Sequence, residues 1–242
     1  MTDAIPAVVP VEGWHVLHLF YKIEYGQWSL SSADEQLRSK TNLAALVQEI
    51  RATADTQLLT LAVVSPKADL GFMLLCPDLQ AATGFEKRLS QALGADVLTP
   101  VYSYLSITEA GEAVESEARK TQEELFPSLP GWPVFCFYPM SRRRNVGQNW
   151  YRLPCEERKR LLGGEAGVFR SWQGKVCSLV TGSTGLEDAE WAVTLLGQTT
   201  FDVKKLVTEL HYDAAGADYT EYGEIYIGLQ LPLDELFRKI QL

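Results

Sequence analysis

Apolar positions along the chain follow two alternating patterns. One is short runs of aliphatic and aromatic residues, and the other is stretches with a helical repeat. Residues 14–20 (WHVLHLF) predict a strand. Leu43, Leu46, Val47 and Ile50 fall at i, i+3, i+4 and i+7, which predicts one buried face of a helix over 33–51. Residues 58–64 and 71–76 predict strands separated by a turn at Ser65-Pro66-Lys67. A second helix is expected over 81–93, with Phe85, Leu89, Ala92 and Leu93 on one side, and a strand over 100–107. The order is β-α-β-β-α-β.

Residues 109–131 break the pattern, being acidic at first and then punctuated by proline, and they predict a connector with an exposed helix. Beyond them the order returns. Strands are expected over 133–138, 175–181, 190–196 and 224–230, and helices over 154–163 and 200–211. Pro154 stands at a first-turn position and the Gly163-Gly164 pair reads as a stop. The GSTGLED segment between two strands reads as a hairpin, since a phosphate loop would open a helix.

The repeated pattern is that of a ferredoxin-like unit written twice, an α+β fold. Each unit has one bare sheet face, and pressing the two faces together would give an α+β barrel with helices outside. The expected division is an N-terminal half over 1–108, a connector over 109–131 and a C-terminal half over 132–242 carrying the pocket.

Charge narrows the partners. The chain has 22 basic and 31 acidic side chains, a net of -9. That balance disfavours duplex nucleic acid and anionic membrane surfaces. No apolar run reaches the roughly 20 residues that cross a bilayer. MTDAIPAVVPVEG lacks the basic n-region of a signal peptide. Cys76, Cys136, Cys155 and Cys177 are scattered without a CxxC pair, so a reduced, cytoplasmic setting is expected. His15 and His18 stand three apart on a strand and so face opposite ways, unable to chelate one ion.

Several stretches resemble the chlorite dismutase and coproheme decarboxylase superfamily, most closely its decarboxylase branch. They are Phe137-Tyr138-Pro139-Met140-Ser141-Arg142, Asn149-Trp150-Tyr151-Arg152-Leu153-Pro154, Thr181-Gly182-Ser183-Thr184-Gly185-Leu186-Glu187-Asp188 and Glu190-Trp191-Ala192-Val193-Thr194-Leu195. Gly13-Trp14-His15-Val16-Leu17-His18 and Tyr102-Ser103-Tyr104-Leu105-Ser106 extend it into the first half. The resemblance implies a homo-oligomer, usually a pentamer, and a haem or iron coproporphyrin pocket in the C-terminal half. It also implies peroxide-driven oxidoreductase chemistry, with Tyr138 as the redox relay. A phenol suits that role because it can lose an electron and a proton together.

The resemblance places Met140, Arg142, Trp150, Ser178, Trp191, His211 and Glu124 around the cofactor and Glu165 at the iron ligand's position. Four of these depart from the family pattern. Glu165 replaces a histidine, Ser178 a glutamine or arginine, His211 an arginine, and Glu124 a basic residue. Gly216 stands where a propionate-binding serine is expected, and Arg142 keeps a cation where lysine is usual. Coproheme carries four carboxylates, and burying each without a paired cation costs several kcal/mol. Weak coproheme binding, or none, is therefore expected. The three readings are a haem-dependent enzyme, a non-catalytic paralogue that has lost haem and serves as a structural subunit or as a binding module for another ligand such as a planar small molecule, and a metal-dependent enzyme with a non-haem site of Glu124, Glu165 and His211.

Overall fold

The computed structural model describes residues 6–110 and 118–242. The extreme N-terminus and part of the acidic connector, residues 1–5 and 111–117, lie outside the described residues. The chain divides into two compact units. One holds the described residues up to Ile107 together with Gly228–Leu242, and the other is Thr108–Ile227.

In the first unit, strands β1 (His15–Ile23), β2 (Gln57–Val63), β3 (Leu70–Cys76) and β4 (Leu98–Ile107) alternate with α1 (Tyr25–Leu30), α2 (Ala33–Ala52) and α3 (Leu79–Gln91). The strands lie in the order β2-β3-β1-β4, every pair antiparallel. That is the order a ferredoxin-like unit requires, and it sets α2 and α3 against the sheet. Ser32 starts α2 through a capping box: its Oγ accepts from the Glu35 N–H, and Glu35 Oε2 accepts from the Ser32 N–H at 2.8 Å. Leu43, Leu46, Val47 and Ile50 of α2 are buried, as their spacing predicts. At about 1.5–3 kcal/mol per fully buried side chain, this face outweighs anything the helix gains from propensity alone.

The end of strand β11 (Tyr226–Gln230) pairs Gly228 with Val63 and Gln230 with Leu61, extending the sheet beyond β2. Helix α8 (Leu233–Lys239) then buries Leu233, Leu236 and Phe237 in the same core. The sequence division assigns all of 132–242 to one half. Residues Gly228–Leu242 group with the first unit, where the apolar stripe of α8 is buried.

The second unit contains α4 (Ala118–Leu125), β5 (Val134–Arg142), the short pair β6 (Arg144–Asn145) and β7 (Gln148–Asn149), and α5 (Cys155–Ser171). After these come β8 (Val176–Gly182), β9 (Trp191–Gly197), α6 (Thr200–Tyr212), α7 (Ala214–Tyr219) and β10 (Thr220–Tyr222). Strand β9 pairs antiparallel with both β8 and β5, and the other edge of β5 pairs with β10. Alternation along β5 sends Val134, Cys136, Tyr138 and Met140 into one core with Val193 and Leu195 of β9 and Val203, Leu206 and Leu210 of α6.

The expected stop at Gly163-Gly164 does not occur. Helix α5 runs through both glycines to Ser171, with Pro154 as its N-cap. Gly164 is the reason this works: a Cβ there would lie 2.9 Å from Asp213 Oδ1, so the bare position lets the start of α7 approach the helix.

Candidate functional site

The register of β5, β8 and β9 collects several of the predicted site residues on one sheet face. Tyr138 lies opposite Val193, Met140 opposite Trp191, and Ser178 opposite Leu195. Leu195 in turn faces Cys136, so Ser178, Cys136, Tyr138, Met140 and Trp191 share the face that carries the unit's core. Strand β10 adds to it, with Thr220 opposite Arg142 and Tyr222 opposite Met140.

At one end of this face sits a buried ion pair. Glu165 is 8% exposed and Arg142 5% exposed, and Arg142 Nη2 donates to Glu165 Oε2 at 2.5 Å. Arg142 Nη1 donates to Thr220 Oγ1 at 2.5 Å, and the Thr220 hydroxyl donates in turn to the Ala215 carbonyl at 2.9 Å. The guanidinium lies 4.5 Å from the Trp150 ring and 5.9 Å from that of Trp191, stacking that suits a planar cation. Trp150 packs in turn against Tyr219 at 5.8 Å. The backbone N–H of Arg142 donates to Glu190 Oε2 at 2.8 Å, and Arg144 holds the other Glu190 oxygen.

The stop expected at Gly163-Gly164 would leave Glu165 outside the helix. Because α5 continues, Glu165 stands four residues after Leu161 on the buried face of the helix, and both side chains are buried. A carboxylate placed there needs a partner, and Arg142 is that partner. The arginine expected to hold a propionate thus has its guanidinium engaged within the protein.

Next to the pair, Tyr138 is buried, and its hydroxyl has no hydrogen-bond partner among the described residues. Burial pushes this phenol well above its ordinary range, and the nearby Cys136, Tyr222 and Glu165 reinforce the shift. Burial likewise raises the Cys136 thiol to about 12. The Tyr222 hydroxyl rises to about 12, by burial first and then by the Glu165 charge. Ser178 Oγ is a second buried oxygen without a partner among the described residues.

Tyr222 connects this interior to the surface. Its ring lies 5.8 Å from Tyr138 and 4.2 Å from His211, which is exposed in the last turn of α6. Gly216 cannot carry the expected serine: a Cβ there would collide with the Leu210 carbonyl oxygen and lie 2.8 Å from the Tyr222 hydroxyl. Glu124 lies on α4, with its Oε2 buried and unpartnered among the described residues. Among the described residues, no three His, Cys, Asp or Glu side chains come together to hold a metal ion. Glu124, Glu165 and His211 do not form such a cluster: His211 is exposed, and Glu165 is bound to Arg142.

Thr220, Tyr222 and Glu190 escape the sequence reading. The first two carried a signal, since Thr220 and Tyr222 stand two apart in a short extended stretch and so face one way. Glu190 gave none, because its partners are backbone and arginine groups far away in sequence.

Comparison with known proteins agrees with this architecture. A family model for chlorite dismutase matches residues 36–231. A haem-binding protein from Thermus thermophilus is 32% identical over 99% of this chain and 100% of its own, with a TM-score of 0.90. Two structures of chlorite dismutase from Candidatus Nitrospira defluvii, one an arginine-to-glutamate variant and one in complex with imidazole, are each 18% identical over 96% of this chain. They cover 98% and 97% of their own chains, with TM-scores of 0.80 and 0.79. At that identity they speak for the fold alone. With the family model spanning most of its length and a full-length relative at 32% identity, the chain belongs to the chlorite dismutase family.

Proposed function

We propose that this chain is a haem-free member of its family, a binding module that keeps the fold and the polar, aromatic interior but not an iron porphyrin. The observation that carries this reading is the Arg142–Glu165 pair. Iron in such proteins is usually held by a neutral imidazole or another strong donor. The donor here is a carboxylate already bound to a guanidinium, and separating the two would leave a buried charge uncompensated. The donor set therefore does not fit haem. Ser178 and Tyr138 still offer two buried oxygens without partners among the described residues, on one sheet face; Met140 and Trp191 pack in the same core as Tyr138, and Trp150 stacks on Arg142. That combination suits a small planar ligand with hydrogen-bonding groups.

A second reading is favoured by the same lone Tyr138 hydroxyl and by the relative described as a haem-binding protein. It is a haem-dependent oxidoreductase of peroxidase or coproheme decarboxylase type, in which Tyr138 is the redox-active phenol. Spectrophotometric titration with ferric haem and ferric coproporphyrin separates the two. The haem-free reading expects no stoichiometric Soret shift at micromolar protein, and tight one-to-one binding of either porphyrin overturns it. A homopentamer belongs to both readings and is checked by sedimentation.

A further inference from the structure

The second unit carries a groove on the flank of α6, with a cavity volume of about 310 Å³. Its floor is apolar: Val134 and Cys136 from β5, Ile225 and Ile227 around the start of β11, and Val203 and Val207 from α6. Ile225 is 38% exposed, an apolar surface left uncovered within the unit. No residue of α5 lines the groove, and neither do Tyr138, Arg142, Glu165 or Ser178, though it shares Cys136 and His211 with the interior described above.

The one charged residue lining the groove is a lysine, Lys204. Lys204, Thr208 and His211 follow one another at four and then three residues along α6, which puts them on one stripe of the helix. Lys204 and His211 are exposed, and no carboxylate lines the cavity. Lys204 makes no ion pair among the described residues, while the His211 ring is braced against Tyr222 at 4.2 Å. The Thr208 hydroxyl donates to the Lys204 carbonyl at 2.8 Å. Successive residues rise about 1.5 Å along a helix, so a head group level with Thr208 is within reach of both nitrogen-bearing side chains.

We propose that this groove binds an amphipathic monocarboxylate, with its hydrocarbon chain on the Val134–Val203–Ile227 floor and its carboxylate between Lys204 and His211. An apolar cavity of this size with a few convergent polar groups is the usual form of a small-molecule site. The Lys204 charge, with the His211 ring as a second nitrogen-bearing group, selects an acid over an alcohol or an amine.

Isothermal titration of the full-length protein with decanoate tests it. Saturable one-site binding is expected, with 1-decanol binding more weakly. Lys204→Glu, an exposed helix position, should weaken decanoate roughly fivefold or more, in line with the worth of one exposed charge pair lost and one repulsion added. Val207→Trp should fill the groove and abolish binding. Absence of binding, equal affinity for decanol, or unchanged affinity in Lys204→Glu would overturn the proposal. So would sedimentation showing that Val207→Trp dissociates an oligomer of a chain that ignores decanoate, because a second copy would then occupy the groove.

Discussion

Arg142 and Glu165 illustrate how much of a site can rest on two side chains. Removing one partner of a buried pair leaves the other charged and dry, at a cost of about 3–5 kcal/mol. Arg142→Met and Glu165→Leu should each lower the free energy of chemical unfolding by an amount of that order. The double variant should recover most of the loss, because an apolar pair of similar volume avoids the desolvation penalty altogether. If the two losses simply add, the pair makes no net contribution. His18, wholly buried in the first unit, offers a pH counterpart. Burial lowers it from 6.5 to about 3, so between those values the unfolded chain binds the extra proton. Its contribution to stability is complete above pH 6.5 and is lost as pH falls toward 3, with a slope of up to about 1.4 kcal/mol per pH unit. Unfolding curves for His18→Leu should show a shallower acid dependence than the wild type across that window.

At the level of elements, glycine divides into positions that need it and positions that do not. Nothing lies within 4 Å of a Cβ built at Gly163, in mid-helix, whereas one at Gly216 meets the Leu210 carbonyl. Gly163→Ala should therefore stabilise the protein by about 0.5–1 kcal/mol through helix propensity. Gly216→Ala should destabilise it by about 1–3 kcal/mol through overpacking; thermal melts of the two variants should move in opposite directions. The same glycines show what the sequence could reveal. The longer strands and the helices α2, α3 and α6 were legible because their period matches a face that is buried, whereas the two- and three-residue strands β6, β7 and β10 are too short to show one. The true end of α5 was not, since a Gly-Gly pair reads as a stop when the Asp213 carboxylate that it admits lies far along the chain. With the helix cut short, Glu165 fell into a loop and its pairing with Arg142 could not be seen. Tyr138, Met140 and Arg142 share one face of β5, but the strand was expected to end at residue 138, so Met140 and Arg142 were reached through the resemblance alone.

For the whole molecule, the least legible feature was the destination of the C-terminal residues. An amphipathic stripe of Leu233, Leu236, Phe237 and Ile240 announces a helix but does not say which core it completes. It completes the first, where all four are buried, and Tyr25 donates to the Ile240 carbonyl at 2.8 Å. At about 1.5–3 kcal/mol for each side chain returned to water, deleting residues 231–242 should remove roughly 6–12 kcal/mol from the first unit. That rivals the entire stability of an ordinary domain, so the truncated chain should lose the cooperative unfolding transition of that unit in calorimetry.

The path by which the chain enters the second unit after Ile107 and leaves it before Gly228 also sets a timetable. A ribosome delivers residues in order, so everything from Thr108 to Ile227 has been made before the pieces that seal the earlier unit emerge. Until then, the β2 edge and the hollow meant for α8 stand open in the nascent chain, the kind of surface that holds chaperones and invites clumping.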